Sequence, residues 1–223
     1  MTLRPALTRC LLLLAVLLPL AAFAAGPAPS PKGPAPVADV DYTVIEGGQP
    51  YAPVKGKIEV VEVFGYTCPS CARFEPTLSR WTARLPADVT FTPLAAPMGG
   101  HWIPYARAFF AAQSMGLAGR THQAMFDALH VSGSLPISKP TPDEIAGFYA
   151  SRGADPRRFV AAMASPAVDA QLAQAREFMI RSGVTGTPSI VINGKYRVIG
   201  TSFEDMLRIS DHLIARERAA LRR

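Results

Sequence analysis

The chain has 223 residues, with 23 Lys and Arg against 17 Asp and Glu, and a formal net charge of +6. The positive charges are spread along the chain rather than interleaved with aromatic residues in one run, which argues against a nucleic-acid-binding protein. Three cysteines are too few for a secreted disulfide scaffold, because such small proteins carry several bridges.

Residues 1–24 have the pattern of a secretory signal peptide. Two arginines precede an apolar run over residues 11–20, and Ala22-Phe23-Ala24 forms an A-x-A cleavage site. A retained anchor is the alternative, but the apolar run is short for a membrane span. Removal of the signal would leave Cys68 and Cys71 as the only cysteines.

Residues 25–39 are predicted to form a linker rich in proline and alanine. The folded part is expected to begin near Val40–Tyr42. Its first clear element is Ile58–Phe64, an apolar run typical of a strand.

This strand leads into Cys68-Pro69-Ser70-Cys71, and a helix is predicted from Ala72 to about Leu85. Pro69 suits the first helical position, which makes Cys68 the N-cap. A sulfur there faces unpaired N–H groups and the positive end of the helix dipole, and both favour the thiolate. The motif therefore indicates a redox-active dithiol, with Cys68 as the exposed, attacking sulfur and Cys71 buried.

A close cysteine pair has two other common uses. As a structural disulfide it would close almost no loop and would add little stability. A zinc site needs more ligands, and the four histidines are scattered at His101, His122, His130 and His212. We therefore expect no metal and no organic cofactor, with the dithiol itself as the redox group.

A second strand is predicted at Val89–Leu94, and a long stretch with helix signals follows it. Apolar residues recur at helical spacing in residues 101–115 and 123–129. Three more helices should begin where a capping residue precedes proline, at Thr141-Pro142, Asp155-Pro156 and Ser165-Pro166. Thr141 and Glu144 have the spacing of a capping box.

The chain then returns to strands at Ser189–Ile192 and Tyr196–Ile199, joined by Asn193-Gly194, which predicts a two-residue hairpin turn. A last helix is predicted from Thr201 or Ser202. The hairpin makes part of the sheet antiparallel. The order of elements predicts an α/β fold with a mixed central sheet, interrupted by an inserted helical domain over residues 99–183.

The segments Val61–Cys71 and Val184–Pro188, with the helical insertion between them, resemble the DsbA-type periplasmic thiol:disulfide oxidoreductases of the thioredoxin superfamily. The resemblance covers about residues 40–216. It implies a thioredoxin fold, here residues 40–98 and 184–218. It also implies a periplasmic location, donation of disulfides to exported proteins and reoxidation by a membrane partner of the DsbB type.

The family's site residues map onto this chain. Pro188 occupies the place of a cis-proline that faces the dithiol, although a trans bond is the default from sequence alone. The backbone of Thr187 would then pair with an extended substrate. Glu62 matches a buried acid that relays a proton to the inner cysteine, Cys71. On the alternative interpretation, Glu59 or Glu62 lies on a solvated face, but an extended strand points the two to opposite faces.

Pro69 and Ser70 lie between the cysteines, where a substrate would contact them. The family's most familiar pair at these positions is Pro-His. A histidine can be cationic, whereas Ser70 offers only a hydroxyl group. We therefore predict a less acidic Cys68 and a less oxidising couple than in the Pro-His form.

Two other functions fit parts of the sequence. A peptide-binding chaperone could use an apolar groove lined by Met98, Trp102, Phe109 and Phe110, although each of these also suits a core. A reductase or isomerase could use the same dithiol, since the partner's potential sets the direction of exchange. An isomerase of this kind usually has a preceding dimerisation domain, which residues 25–40 cannot form, so we expect a monomeric oxidase.

Overall fold

The computed structural model describes residues 30–222, so the predicted signal peptide, Cys10 and the first linker residues lie outside the described part. Within it the chain forms five strands and seven helices. In chain order these are β1 (Tyr42–Val44), β2 (Ile58–Phe64), α1 (Pro69–Thr82), β3 (Val89–Ala95), α2 (Trp102–Ser114), α3 (Ala118–His130), α4 (Pro142–Ala150), α5 (Pro156–Met163), α6 (Pro166–Arg181), β4 (Ser189–Ile192), β5 (Tyr196–Val198) and α7 (Phe203–Leu221). No helix over residues 30–222 is long and apolar enough to cross a membrane.

The strands form one sheet in the order β1-β5-β4-β2-β3. β2 pairs in parallel with β3 and antiparallel with β4, and β5 pairs antiparallel with both β1 and β4. The predicted mixed sheet is therefore confirmed. β1 was not predicted, because its three residues carry no periodic signal and are held by pairing with β5.

The hairpin between β4 and β5 differs from the prediction by one residue. Asn193 and Gly194 both have positive φ, 52° and 65°, as the predicted turn requires. Ile192 nevertheless pairs with Tyr196, which leaves three residues in the loop rather than two. The N–H of Lys195 donates to the carbonyl of Ile192 at 2.9 Å and closes the turn.

All seven residues of β2 are buried, so this strand runs through the centre of the molecule. Ile58 and Val60 belong to a core formed with α1 and α7, whereas Val61 and Val63 belong to a larger core formed with the helices between β3 and β4. Burying each such aliphatic side chain contributes about 1.5–3 kcal/mol. The two cores, one on each face of the sheet, thus hold the C-terminal end of β2 in a fixed position, together with the cysteine motif that follows it.

The predicted helix starts are confirmed. Helices α4, α5 and α6 each begin with proline after an N-cap whose side chain accepts a backbone N–H, and Thr141 and Glu144 complete the capping box. Helix α1 also begins with proline, at Pro69, and ends at Thr82, three residues before the predicted end.

Glu59 and Glu62 lie on opposite faces of β2, as expected, but neither is solvated: each is 1% exposed. Glu59 accepts the backbone N–H groups of Tyr51 and Ala52, both at 2.7 Å. Its carboxylate therefore anchors the loop before β2. A sequence pattern alone does not show such a partner, because the hydrogen bonds come from backbone atoms.

Candidate active site

Cys68 is the N-cap of α1, as predicted. Its Sγ accepts a hydrogen bond from the backbone N–H of Cys71 at 3.3 Å and lies 3.4 Å from the carbonyl oxygen of Thr187. The thiol of Cys71, the side chain of Thr187 and the backbone N–H groups of Cys71 and Ser70 stabilise the thiolate by hydrogen bonding, and together they outweigh the effect of burial. Together they lower the pKa of Cys68 to about 5. Cys68 is therefore a thiolate at neutral pH.

Cys71 lies one helical turn further in and is 1% exposed. Burial, together with its hydrogen bond to Cys68 and the charge of Glu62, raises the pKa of the Cys71 thiol far above its usual range. Cys68 is less open than expected, since only 7% of its surface is exposed. The pair therefore combines one ionised sulfur that keeps a small exposed surface with one neutral sulfur inside.

The Thr187–Pro188 peptide bond is cis, which confirms the implied geometry. It directly precedes β4, which pairs with β2, so the sheet holds this loop against the start of α1. The contact between Cys68 Sγ and the Thr187 carbonyl shows how close the two segments lie.

Glu62 is buried in the middle of β2, between Pro93 of β3 and Ile190 of β4. Its Oε2 atom has no hydrogen-bond partner among the described residues. Burial, reinforced by the charges of Glu75 and Cys68, raises the pKa of Glu62 well above its usual value. The predicted burial of Glu62 is confirmed, since only 1% of its surface is exposed.

Two residues beside Glu62 were not found from the sequence. Glu75 of α1 is 9% exposed, and its Oε2 lies 3.4 Å from Nε2 of His122 on α3. The Nδ1 atom of His122 lies 2.9 Å from the hydroxyl of Tyr66. His122 therefore has a partner on each ring nitrogen, whereas in the sequence it is only one of four scattered histidines. The available signal was Glu75 itself, an acid four residues after Cys71 on the same face of the helix.

Glu62, Glu75 and His122 each offer one ligand atom within 4.8 Å of the others. Carboxylate oxygens and an imidazole nitrogen are a donor set that divalent metals accept. Within residues 30–222, these three side chains form the cluster that could hold an ion.

Pro69 is exposed and Ser70 is half-buried at the rim of the dithiol. The Ser70 hydroxyl accepts a hydrogen bond from the guanidinium of Arg73 at 2.9 Å. The apolar residues proposed for a chaperone groove divide into two groups. Phe109 and Phe110 are core residues, 1% exposed, while Met98 and Trp102 are partly buried against that core.

Ser70→His is expected to lower the pKa of Cys68 further and to make the couple more oxidising. An imidazolium at this position would add positive charge beside the thiolate, which the hydroxyl of Ser70 does not supply. Thiolate absorbance, measured against pH in both proteins, checks this prediction. A pKa in the variant equal to or above that of the natural protein would contradict it.

Comparison with known proteins agrees with this geometry. Residues 59–210 match the family described as DSBA-like thioredoxin domain. The thiol:disulfide interchange protein DsbA of Pseudomonas aeruginosa is 42% identical over 171 residues, which cover 75% of this chain and 80% of that protein. The corresponding protein of Azotobacter vinelandii is 40% identical and covers 74% and 77%.

Solved structures show the same likeness. The oxidoreductase DsbA from Xylella fastidiosa superposes with a TM-score of 0.81 at 52% identity, covering 82% of this chain and 98% of that one. DsbA of Pseudomonas aeruginosa gives a TM-score of 0.77 at 38% identity, covering 84% and 97%. Sequence and structure together show that the chain belongs to the DsbA-like thioredoxin domain family and is a thiol:disulfide oxidoreductase.

Proposed function

We propose that the chain donates its Cys68–Cys71 disulfide to newly exported proteins. The observation that carries this proposal is the unequal pair of sulfurs, one held as a thiolate at the N-terminus of α1 and one buried and neutral. Stabilising the Cys68 thiolate stabilises the reduced enzyme, and a stable reduced enzyme favours giving the disulfide away.

The reaction has two exchange steps. A client thiolate attacks Cys68 Sγ, the Cys68–Cys71 bond breaks, and Cys71 leaves with the electron pair. A second client thiolate then attacks the client sulfur of the mixed disulfide, and Cys68 leaves as a stable thiolate. The client is oxidised by two electrons and the enzyme dithiol is reduced.

Four other residues assist the exchange in this proposal. The raised pKa of Glu62 lets it hold a proton at neutral pH and give it to Cys71 as that thiolate forms. The backbone of Thr187 pairs with an extended client segment, because its carbonyl already faces Cys68 Sγ. Pro69 and Ser70 contact the client at the rim, where both have accessible surface.

The setting of the enzyme is also a proposal. The signal-like residues 1–24 support export to the periplasm, with residues 25–39 as a linker. A membrane protein of the DsbB type reoxidises the dithiol, and the chain acts as a monomer. In the proposed domain division, residues 40–98 and 184–218 form the thioredoxin-like domain and residues 99–183 the helical insertion, which contains α2–α6.

Equilibration with glutathione tests the direction of exchange. We choose a mixture of reduced and oxidised glutathione in which an ordinary structural disulfide stays intact, and we expect the Cys68–Cys71 disulfide to be largely reduced in it. We also expect the enzyme in its disulfide form to oxidise an unfolded client that carries free thiols. If the dithiol stays oxidised in that mixture and does not transfer its disulfide, the reductase alternative is supported instead. Elution as a dimer in size-exclusion chromatography would favour an isomerase.

A further inference from the structure

Glu62, Glu75 and His122 bring three atoms that can ligate a metal together from three elements, β2, α1 and α3. These atoms lie within 4.8 Å of one another, and Glu75 Oε2 is 3.4 Å from His122 Nε2. Zinc binds carboxylate oxygen and imidazole nitrogen at about 2.0–2.2 Å, so two ligands of one tetrahedral ion are about 3.3–3.5 Å apart. The Glu75–His122 pair therefore already has the separation that a zinc ion requires.

Glu62 supplies the third ligand from the interior. It is 1% exposed, and its Oε2 atom has no hydrogen-bond partner in the described part of the chain. A buried carboxylate oxygen without a partner costs free energy, and a cation bound beside it offsets that cost. Since the three atoms already lie within 4.8 Å of one another, a movement of at most about 1.5 Å brings the Glu62 oxygen to zinc-ligand separation.

A groove gives an ion access to this cluster. It has a volume of about 300 Å³, lies between α1, β3 and α3, and has Glu75 and His122 among its lining residues. Their side chains are 11% and 14% exposed. None of the described residues that line the groove is a lysine or an arginine, so no positive side chain of this lining repels an entering cation.

The ring of His122 is held in an orientation that suits a metal ligand. Its Nδ1 atom lies 2.9 Å from the hydroxyl of Tyr66, and the rings of Phe64 and Phe126 pack edge-on against it. When Nδ1 donates its proton to this hydroxyl, the lone pair of Nε2 is left for an ion. Metal-bound histidines generally have such a partner on the second ring nitrogen.

The donor set distinguishes between the common divalent cations. Calcium and magnesium take six or more ligands, nearly all of them oxygen atoms. Two carboxylates and one imidazole are instead typical of zinc, and three protein ligands leave a fourth position for water. The chemistry of the cluster therefore favours zinc.

We propose that Glu62, Glu75 and His122 form a binding site for a zinc ion, which enters through the groove and slows disulfide exchange while it is bound. The ion occupies the carboxylate of Glu62, so this residue no longer carries a proton for Cys71. The effect on the rate rests on the proposed proton transfer from Glu62 to Cys71, whereas the binding rests on the geometry of the cluster. Zinc acts here as an inhibitor, and the dithiol remains the redox group.

Zinc binding is measured on the oxidised protein, because the Cys68–Cys71 disulfide offers no thiolate to the metal. Isothermal titration calorimetry with Zn²⁺ should show one site per chain, and Ca²⁺ and Mg²⁺ should show none. Glu75→Gln and His122→Ala each remove one ligand, so the affinity for Zn²⁺ should fall by about 100-fold or more in each.

Tyr66→Phe separates a metal site from a simple ion pair between Glu75 and His122. The variant keeps all three ligands and loses only the hydroxyl that orients the imidazole. Loss of such an outer partner lowers metal affinity by about 10–100-fold, and we expect a decrease in that range. An unchanged affinity for Zn²⁺ in Tyr66→Phe would contradict the proposed geometry.

His130→Ala is the matched control. His130 lies two turns further along α3, and its Nε2 is 2.7 Å from the carbonyl oxygen of Tyr66, outside the groove. This variant removes an imidazole from the same helix and should bind Zn²⁺ as the natural protein does. An affinity that falls in His130→Ala but not in His122→Ala would show that another histidine binds the ion, and would overturn the proposal.

The effect on exchange is measured in single turnover, as the reduction of the oxidised protein by an excess of thiol peptide with and without Zn²⁺. Zinc should slow the natural protein by about tenfold or more, the range of general acid–base catalysis. The rate of Glu75→Gln should change little at the same Zn²⁺ concentration. Because each protein is compared with itself, zinc bound by the peptide thiol affects both ratios equally.

Failure of the oxidised natural protein to bind Zn²⁺, or equal affinity in the natural protein and the ligand variants, would overturn the site. Zinc that binds without slowing exchange would overturn its inhibitory role. If His122→Ala does not fold, Glu75→Gln decides both questions. A metal-free natural protein that does not exchange its disulfide with the peptide would instead refute the proposed disulfide donation, and calorimetry would still decide the zinc site.

Discussion

Replacing Cys68 with serine is expected to abolish disulfide transfer to a client protein, with a loss of roughly 10³-fold or more. The serine hydroxyl cannot form the enzyme disulfide, and its pKa is too high for the α1 N-terminus to ionise it. The measurement is the rate at which a reduced, unfolded client gains disulfides in the presence of purified protein and a glutathione buffer. Transfer at the natural rate would show that Cys68 is not the reactive group and would favour the chaperone alternative.

Cys71→Ser is the matched control, because it keeps the reactive sulfur and removes only the buried one. This variant should still titrate as a thiolate near the natural pKa of about 5. With oxidised glutathione it should accumulate a mixed disulfide on Cys68, since no second thiol is present to release it. Mass spectrometry of the intact protein detects the added glutathione. Absence of the adduct would mean that Cys68 is not reactive in this setting.

The ionised state of Cys68 also links redox chemistry to stability. The folded pKa of about 5 lies below the ordinary thiol value of 9.0. The thiolate therefore stabilises the reduced protein fully above pH 9, and this stabilisation is lost as pH falls towards 5. At pH 7 it amounts to on the order of 2 kcal/mol. The reduced form should accordingly become less stable on acidification to pH 5.

The dithiol half of the site was predictable because its signals are local. Proline after Cys68 places that cysteine at the N-cap, and the spacing places Cys71 one turn inside the helix. The helix starts of the insertion were predictable for the same reason, since each has a capping residue followed by proline. In each case neighbouring residues determine the geometry.

The other half of the site depends on contacts between distant segments. Glu75 and His122 are 47 positions apart and meet only because α1 packs against α3, so neither residue carries a local signal. The partners of Glu59 are backbone N–H groups that no residue type reveals. The cis bond before Pro188 was expected only from the family resemblance, because trans is the default for an isolated sequence.

Glu62→Gln is expected to slow disulfide exchange while it stabilises the fold at neutral pH. The amide cannot exchange a proton with Cys71, so the rate should fall by about tenfold or more. The natural side chain has a buried oxygen without a hydrogen-bond partner among the described residues, a situation that costs about 1–3 kcal/mol. An uncharged amide that can donate to Glu75 should recover part of this cost.

The pH dependence distinguishes this explanation from simple repacking. Because burial raises the pKa of Glu62, the natural protein loses stability as pH rises from the ordinary value of 4.5 to the raised value. Glutamine does not titrate, so the stability gained in Glu62→Gln should be small near pH 4 and full once pH exceeds the raised pKa. Urea unfolding at several pH values measures it. A gain that does not change with pH would contradict the argument.

Glu59→Gln provides the opposite case on the same strand. Both acids are 1% exposed, but Glu59 accepts two backbone N–H groups at 2.7 Å, whereas the buried Oε2 of Glu62 has no hydrogen-bond partner within residues 30–222. Glu59→Gln should therefore lose about 1–3 kcal/mol of stability and keep the natural exchange rate. If the two variants behaved alike, the buried acid beneath the dithiol would be a structural residue. If they diverge as expected, the chain retains Glu62 at a cost in stability because the chemistry of Cys71 requires its proton.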